Sequence, residues 1–196
     1  MNLYSRRRAL MAQGEQSDVL FEWNPSDGVS NINIIASSGS THYVLNNDSI
    51  RLYALASWAT QRIEPKEAID WAGDFTVDVS FKNVNGGNVN LYATSRLFDG
   101  LNGYVAFFTY TKKISVPNGT AVSVPSGATS GTLRLEIKRS TGAVHAYFIQ
   151  NGTVAAETTG SVGTTHATRS ACAVEGMTTT QYYDVTHIVI RKGISA

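Results

Sequence analysis

From Val19 onward the chain alternates apolar and polar residues with a period of two. The purest stretch is Phe75-Thr76-Val77-Asp78-Val79-Ser80-Phe81-Lys82. Phe75, Val77, Val79 and Phe81 fall on one side of it, and Thr76, Asp78, Ser80 and Lys82 on the other. Successive strand side chains point to opposite faces, so this pattern predicts an extended segment with one buried and one wet face. Residues 132–138 repeat it, with Leu133, Leu135 and Ile137 inward. Such one-sided strands belong to antiparallel sheets. Burying each apolar side chain is worth roughly 1.5–3 kcal/mol. A one-residue slip would expose several together, so the register is strongly specified.

Less regular extended segments are expected at residues 19–23, 32–35, 50–55, 89–93, 104–110, 143–150 and 185–191. Turn signals separate them: Asn85-Gly86-Gly87-Asn88, Asp99-Gly100, Asn102-Gly103, Ser140-Thr141-Gly142 and Asn151-Gly152. Glycine and asparagine supply the positive φ angles of tight reversals. Ser140-Thr141-Gly142 joins two strong segments and predicts a hairpin. Strands so joined imply an all-β fold, a two-sheet antiparallel sandwich. Residues 111–131, with Pro117 and Pro125, predict a long loop with an irregular edge hairpin, because proline suits sheet edges. Residues 158–181, rich in threonine, serine and glycine, predict a second loop. Residues 1–17 stand apart as an N-terminal arm, with a marginal helix over 5–13. The sandwich then occupies 18–196.

Composition agrees with this division. Apolar residues make up 42% and charged residues 16%, well below the usual quarter, as suits a β-protein linked by polar turns. The net charge of +1 provides no field to gather nucleic acid or an anionic membrane. Cys172 is the single cysteine, so no internal disulfide can form. The basic start at Arg6-Arg7-Arg8 lacks the apolar run of a signal peptide, and no stretch approaches a membrane span.

The order of the strand phrases resembles the concanavalin A-like lectin/glucanase superfamily, in its laminin-G-like and carbohydrate-binding branches. The phrases are Phe21-Glu22-Trp23-Asn24-Pro25, Ser49-Ile50-Arg51-Leu52, Asp74 through Phe81, Asn102-Gly103-Tyr104-Val105-Ala106-Phe107, Leu133-Arg134-Leu135-Glu136-Ile137 and Tyr183 through Gly193. This resemblance implies a jelly-roll sandwich over residues 19–193. Leu3-Tyr4-Ser5-Arg6-Arg7-Arg8-Ala9-Leu10-Met11 resembles the start of virion structural proteins in tailed phages of gut bacteria. That second likeness implies a head or tail decoration protein of the virion. Tyr4, Arg6, Arg7, Arg8 and Leu10 would fasten it to other virion proteins or to copies of itself. The alternative is a carbohydrate-binding module that adheres to polysaccharide or cell-surface glycan. Neither reading calls for nucleic acid or membrane as a partner.

No enzyme chemistry is expected. Glycoside hydrolysis needs two carboxyl groups facing one bond, and no Glu-x-Asp-x-x-Glu run occurs. Glu136 between Arg134 and Lys138 reads as a solvated charge ladder, and Asp78 as part of a polar face. Cys172 near His166 lacks a catalytic signature, and His42, His145, His166 and His187 lack ligand spacing. Phosphate-loop motifs are missing, and no cofactor or metal is called for. Asn46-Asn47-Asp48 and Asp99-Gly100-Leu101-Asn102-Gly103 offer oxygens for calcium, but each reads first as a turn. Sugars stack on exposed rings and bond to neighbouring polar groups. Trp58 and Trp71 are the first candidates for such rings, with Tyr182 and Tyr183 behind them; packing is the ordinary role of both tryptophans.

Overall fold

The computed structural model describes residues 18–36, 41–53, 60–67, 69, 73–85, 90–96, 107–108, 112–161, 169–175 and 180–194. Residues 60, 90–96, 107–108 and 169–175 are described by their backbone alone. Among these residues are fifteen strands: β1 (Val19–Trp23), β2 (Ile32–Ala36), β3 (Tyr43–Asn46), β4 (Ser49–Tyr53), β5 (Thr60–Pro65), β6 (Phe75–Asn85), β7 (Asn90–Arg96), β8 (Phe107–Phe108), β9 (Lys113–Ser115), β10 (Val122–Ser123), β11 (Gly131–Lys138), β12 (Ala143–Gln150), β13 (Thr153–Ser161), β14 (Arg169–Glu175) and β15 (Tyr182–Lys192). They form an all-β sandwich of two antiparallel sheets. The eight-stranded sheet runs β13-β12-β11-β6-β15-β4-β3, with β1 also paired to β15. The seven-stranded sheet runs β10-β9-β8-β7-β14-β5-β2.

The alternation seen in the sequence sets the inner face of the eight-stranded sheet. Leu135 lies opposite Ala146 on β12 and Val77 on β6, and Val77 lies opposite Ile190 on β15. All four are buried in one apolar cluster with Trp23, Ile50, Leu52, Phe81 and Phe148. Ile32 and Ile63 enter the cluster from the seven-stranded sheet. The Ser140-Thr141-Gly142 reversal does join β11 to β12, with Gly142 at φ 68°.

One expectation is corrected by the pairing. Residues 158–181 are not one loop: β13 extends to Ser161, and β14 lies in the body of the seven-stranded sheet between β7 and β5. Small Ser, Thr, Ala and Gly side chains give almost no apolar alternation, yet their backbones pair as well as any. The segments expected at 104–110 and 50–55 are strand where they are described, at Phe107–Phe108 and Ser49–Tyr53; 104–106, 109–110 and 54–55 lie outside the described residues. Residues 111–131 hold the expected irregular edge hairpin, β9 with β10. The helix over 5–13 falls outside the described residues.

The two ends of the eight-stranded sheet are finished differently. At β13, the turn at 117–119 lies close against the strand: Ser161 N–H donates to Pro117 O at 3.1 Å, and Thr158 Oγ1 donates to Thr120 O at 2.6 Å. A Cβ on Gly160 would stand 2.3 Å from Pro117 O, and one on Gly119 would stand 2.4 Å from Thr159 O. Glycine at both positions is what permits the approach. At the other end, β3 is a terminal strand with all four residues exposed. Its start is tied to the opposite sheet by the buried Gln61 of β5. The Gln61 amide accepts from His42 N–H at 2.5 Å and donates to His42 O at 2.6 Å, acting as a strand partner where β3 begins.

Candidate functional site

The outward face of the eight-stranded sheet carries most of the described polar chemistry. It is not the solvated ladder expected from the sequence. Asp78 is 7% exposed and Glu136 5%. Burying a carboxylate costs several kcal/mol unless it is paired, and both are bonded. Asp78 accepts from Arg134 Nε at 2.7 Å and Nη2 at 2.9 Å, and from Arg191 Nη1 at 2.6 Å. Glu136 accepts from the Tyr147 hydroxyl at 3.1 Å. Long arginine side chains from neighbouring strands fold across the shorter carboxylates and take them out of water. The Asp78 bonds also hold the Arg134 guanidinium above its ordinary pKa.

A second cluster lies toward β3. Cross-strand pairing sets Tyr182 opposite Tyr53 and Asp184 opposite Arg51. Asp184, almost fully buried, grips Arg51 through a two-bond fork at 2.6 and 2.9 Å and also accepts from Asn83 Nδ2 at 2.8 Å. These bonds raise the Arg51 pKa. Held so, the guanidinium lies 4.0 Å over the Tyr182 ring, a cation–π contact. Tyr182 tilts against Tyr53 at 5.7 Å between centroids, and His42 stacks on Tyr53 at 4.4 Å. Rings, a guanidinium and an amide thus form one half-exposed column whose rotamers are fixed by buried partners. Such a surface offers apolar ring area beside hydrogen-bonding groups, which is what sugar recognition requires.

Of the residues singled out in the sequence, Tyr182 belongs to this column. Tyr183 does not. Neighbours in a strand face opposite ways, and Tyr183 points inward against Leu52 with 0% exposure, so its ring is core and offers no platform. Trp58, Trp71, Tyr4, Arg6, Arg7, Arg8 and Leu10 lie outside the described residues, as do His166 and 99–103. Asn47 and Asp48 form the β3–β4 turn, where Asp48 pairs with Lys82. That salt bridge pulls the Asp48 carboxyl below its ordinary pKa. Cys172 lies in β14, opposite Ile63 and Ala93. His187 bonds Glu22 at 3.0 Å, and His145 meets Tyr147 at 2.7 Å and Glu157 at 3.2 Å. Among the described residues no group of three or more His, Cys, Asp or Glu could hold a metal ion.

Arg51, Tyr53, His42, Asn83 and Asp184 are not sugar-binding candidates in the sequence, where His42 figures only as a histidine without ligand spacing and Arg51 only within a strand phrase. Arg51 and Tyr53 meet Asp184 and Tyr182 through the registry of β4 against β15, across more than a hundred residues, which no local pattern reports.

No protein-family model matches the sequence, and no curated protein aligns with it. Solved structures do match in fold. The legume lectin-like domain from Entamoeba histolytica superposes with a TM-score of 0.59 at 10% identity, over 89% of this chain and 98% of that one. The VIP36 exoplasmic/lumenal domain, in a Ca2+/Man2-bound form, gives 0.61 at 13% identity over 91% of each. The Emp46p carbohydrate recognition domain in its metal-free form gives 0.54 at 8% identity, over 91% and 95%. The sandwich is lectin-like, in agreement with the order of strand phrases.

Proposed function

We propose that this chain is a non-enzymatic glycan-binding domain, a lectin-like sandwich that adheres to polysaccharide. The observation that carries the reading is the His42–Tyr53–Tyr182–Arg51 column, exposed along its edge and braced from below by Asp184. The lectin-like neighbours support it, two of them described with bound mannose or as carbohydrate recognition domains. Hydrolysis is disfavoured because Asp78 and Glu136 are already committed to arginine and tyrosine partners. A glycan array should return binding by the wild-type protein. Tyr53→Ala and Tyr182→Ala should each weaken it about two- to tenfold, the loss of one stacking contact of roughly 0.5–1.5 kcal/mol. Trp58→Ala and Trp71→Ala provide the competing site. A wild-type protein that captures no glycan would reject the function, and binding lost only in the tryptophan variants would move the site.

A second reading, a virion decoration protein of a tailed phage assembled through copies of itself and through arm residues 1–17, is favoured by one structural feature. Tyr43, Val44 and Leu45 are 36%, 43% and 42% exposed on the terminal strand β3. Open edges are normally blunted by charge, proline or a cover. This edge has no charged residue. Tyr53 N–H donates to His42 O, so the alternation of an antiparallel ladder turns the backbone groups of Tyr43 and Leu45 away from β4. A second copy paired antiparallel about Val44 would set each Tyr43 opposite the other copy's Leu45 without like charges meeting. Such a contact is self-complementary, as a two-fold dimer requires. Sedimentation should then show a dimer that Val44→Lys converts to monomer; a monomeric wild type at high concentration would remove the edge as an interface. Deleting residues 1–14 should leave a folded domain that fails to join the particle.

A further inference from the structure

On the outward face of the eight-stranded sheet, away from the aromatic column, Thr76, Arg134, Arg191, Lys192, Gly193 and Ile194 line a cleft of about 220 Å³. Its floor is built by pairing. Arg191 lies opposite Thr76, and Arg134 opposite Asp78, on adjoining registers of β15, β6 and β11. Asp78 draws both guanidiniums to itself through three hydrogen bonds, all of 2.9 Å or less.

A carboxylate cannot occupy all the donors of two guanidiniums. The remaining N–H groups belong to side chains that line the cleft and keep about a third of their surface in water. Asp78 therefore acts less as a neutraliser than as a clamp, setting two forked donors side by side before any ligand arrives. Pre-set donors lose little freedom on binding. Arg134 and Arg191 meet the one carboxylate of Asp78, so this triad carries one net positive charge. The Thr76 hydroxyl donates to Gly193 O at 2.8 Å, so its oxygen still accepts. Ile194, 38% exposed, supplies an apolar wall. Forked cationic donors, a hydroxyl acceptor and an apolar wall suit a sugar ring that bears an oxyanion.

We propose that this cleft is an oxyanion site that takes the carboxylate or sulfate ester of an acidic sugar. The assignment rests on the glycan-binding reading and narrows it to acidic polysaccharide. The test is a titration of the full chain with tetragalacturonate, a sulfated tetrasaccharide and neutral maltotetraose, followed by NMR of the arginine Nε–H signals. The two acidic probes separate uronate from sulfate ester. At least one should move the Arg134 and Arg191 signals, with binding that weakens as salt is raised. Arg191→Gln should lower its affinity about tenfold, the loss of one charged hydrogen bond. Lys192→Gln changes another residue that lines the cleft, and should give a smaller loss. Equal binding of maltotetraose and the acidic probes would overturn the oxyanion site while leaving glycan binding intact. Unchanged affinity in both folded variants would overturn it as well. Response to inorganic sulfate with no response to any sugar would reject both the acidic-sugar assignment and the glycan reading.

Discussion

The two faces of the eight-stranded sheet share one backbone but are stabilised in different ways. On the inner face the row Ala146, Leu135, Val77, Ile190 is apolar throughout and sealed by the opposite sheet. One register over, the outer row Tyr147, Arg134, Asp78, Val189 is polar at three positions, yet Asp78 is nearly as hidden as the core. Inside, burial follows from shape and is non-directional. Outside, it holds only because each charge finds a partner of fixed geometry. A polar position in an alternating strand is thus not the same thing as a wet one.

If that contrast is right, single truncations on the two faces should differ in size and in rescue. Leu135→Ala removes a fully buried side chain from the middle of the sheet and should cost about 2–5 kcal/mol in chemical unfolding. Asp184→Ala on the outer face leaves Arg51 without its fork and Asn83 without its acceptor. It should cost less, about 1–3 kcal/mol, because the half-exposed Arg51 can turn to water. Replacing both partners, as Arg51→Met with Asp184→Leu, should recover much of that loss, since an apolar pair can substitute for a buried ion pair. No second substitution beside Leu135 should do the same. An Asp184→Ala cost as large as that of Leu135→Ala, without recovery in the double variant, would erase the distinction between the faces.

The same contrast explains what could be read from the sequence. β6, β11 and β12 were legible because Val77, Val79, Leu133 and Leu135 are large and alternate, and their inward direction follows from period alone. β14 was not, since Ser170, Ala171, Cys172 and Ala173 carry little hydrophobic contrast, although the strand lies between two others. β3 and β5 were missed for related reasons. β3 is four residues long, and β5 places Gln61 inward and alternates Arg62 with Ile63 and Glu64. The candidate site was less legible than the fold. Tyr182 could be named by residue type, but its partner Tyr53 depends on which strands become neighbours. The burial of Asp78 depends on Arg134 and Arg191, contributed by two other strands.

The smallest expected effect tests the outer face at the Tyr147 hydroxyl. Tyr147 donates to Glu136 and packs its ring 4.0 Å from that of His145. Burial, then the adjacent Glu136 charge and its hydrogen bond, push the Tyr147 phenol from 10.0 up to about 12. A proton held more tightly in the folded state than in the unfolded one stabilises the fold fully below the unfolded value. That contribution is lost as pH rises from about 10 through about 12. Absorbance titration of the nine tyrosines should therefore contain a late component that Tyr147→Phe removes. At neutral pH the same substitution should cost only about 0.5–1.5 kcal/mol, the worth of one hydrogen bond. Above pH 10 the gap between the two proteins should narrow, because the wild type loses what the variant never had. Parallel stability curves up to pH 12, with identical titrations, would mean that water reaches this phenol freely and that the outer face is wetter at β12 than at Asp78.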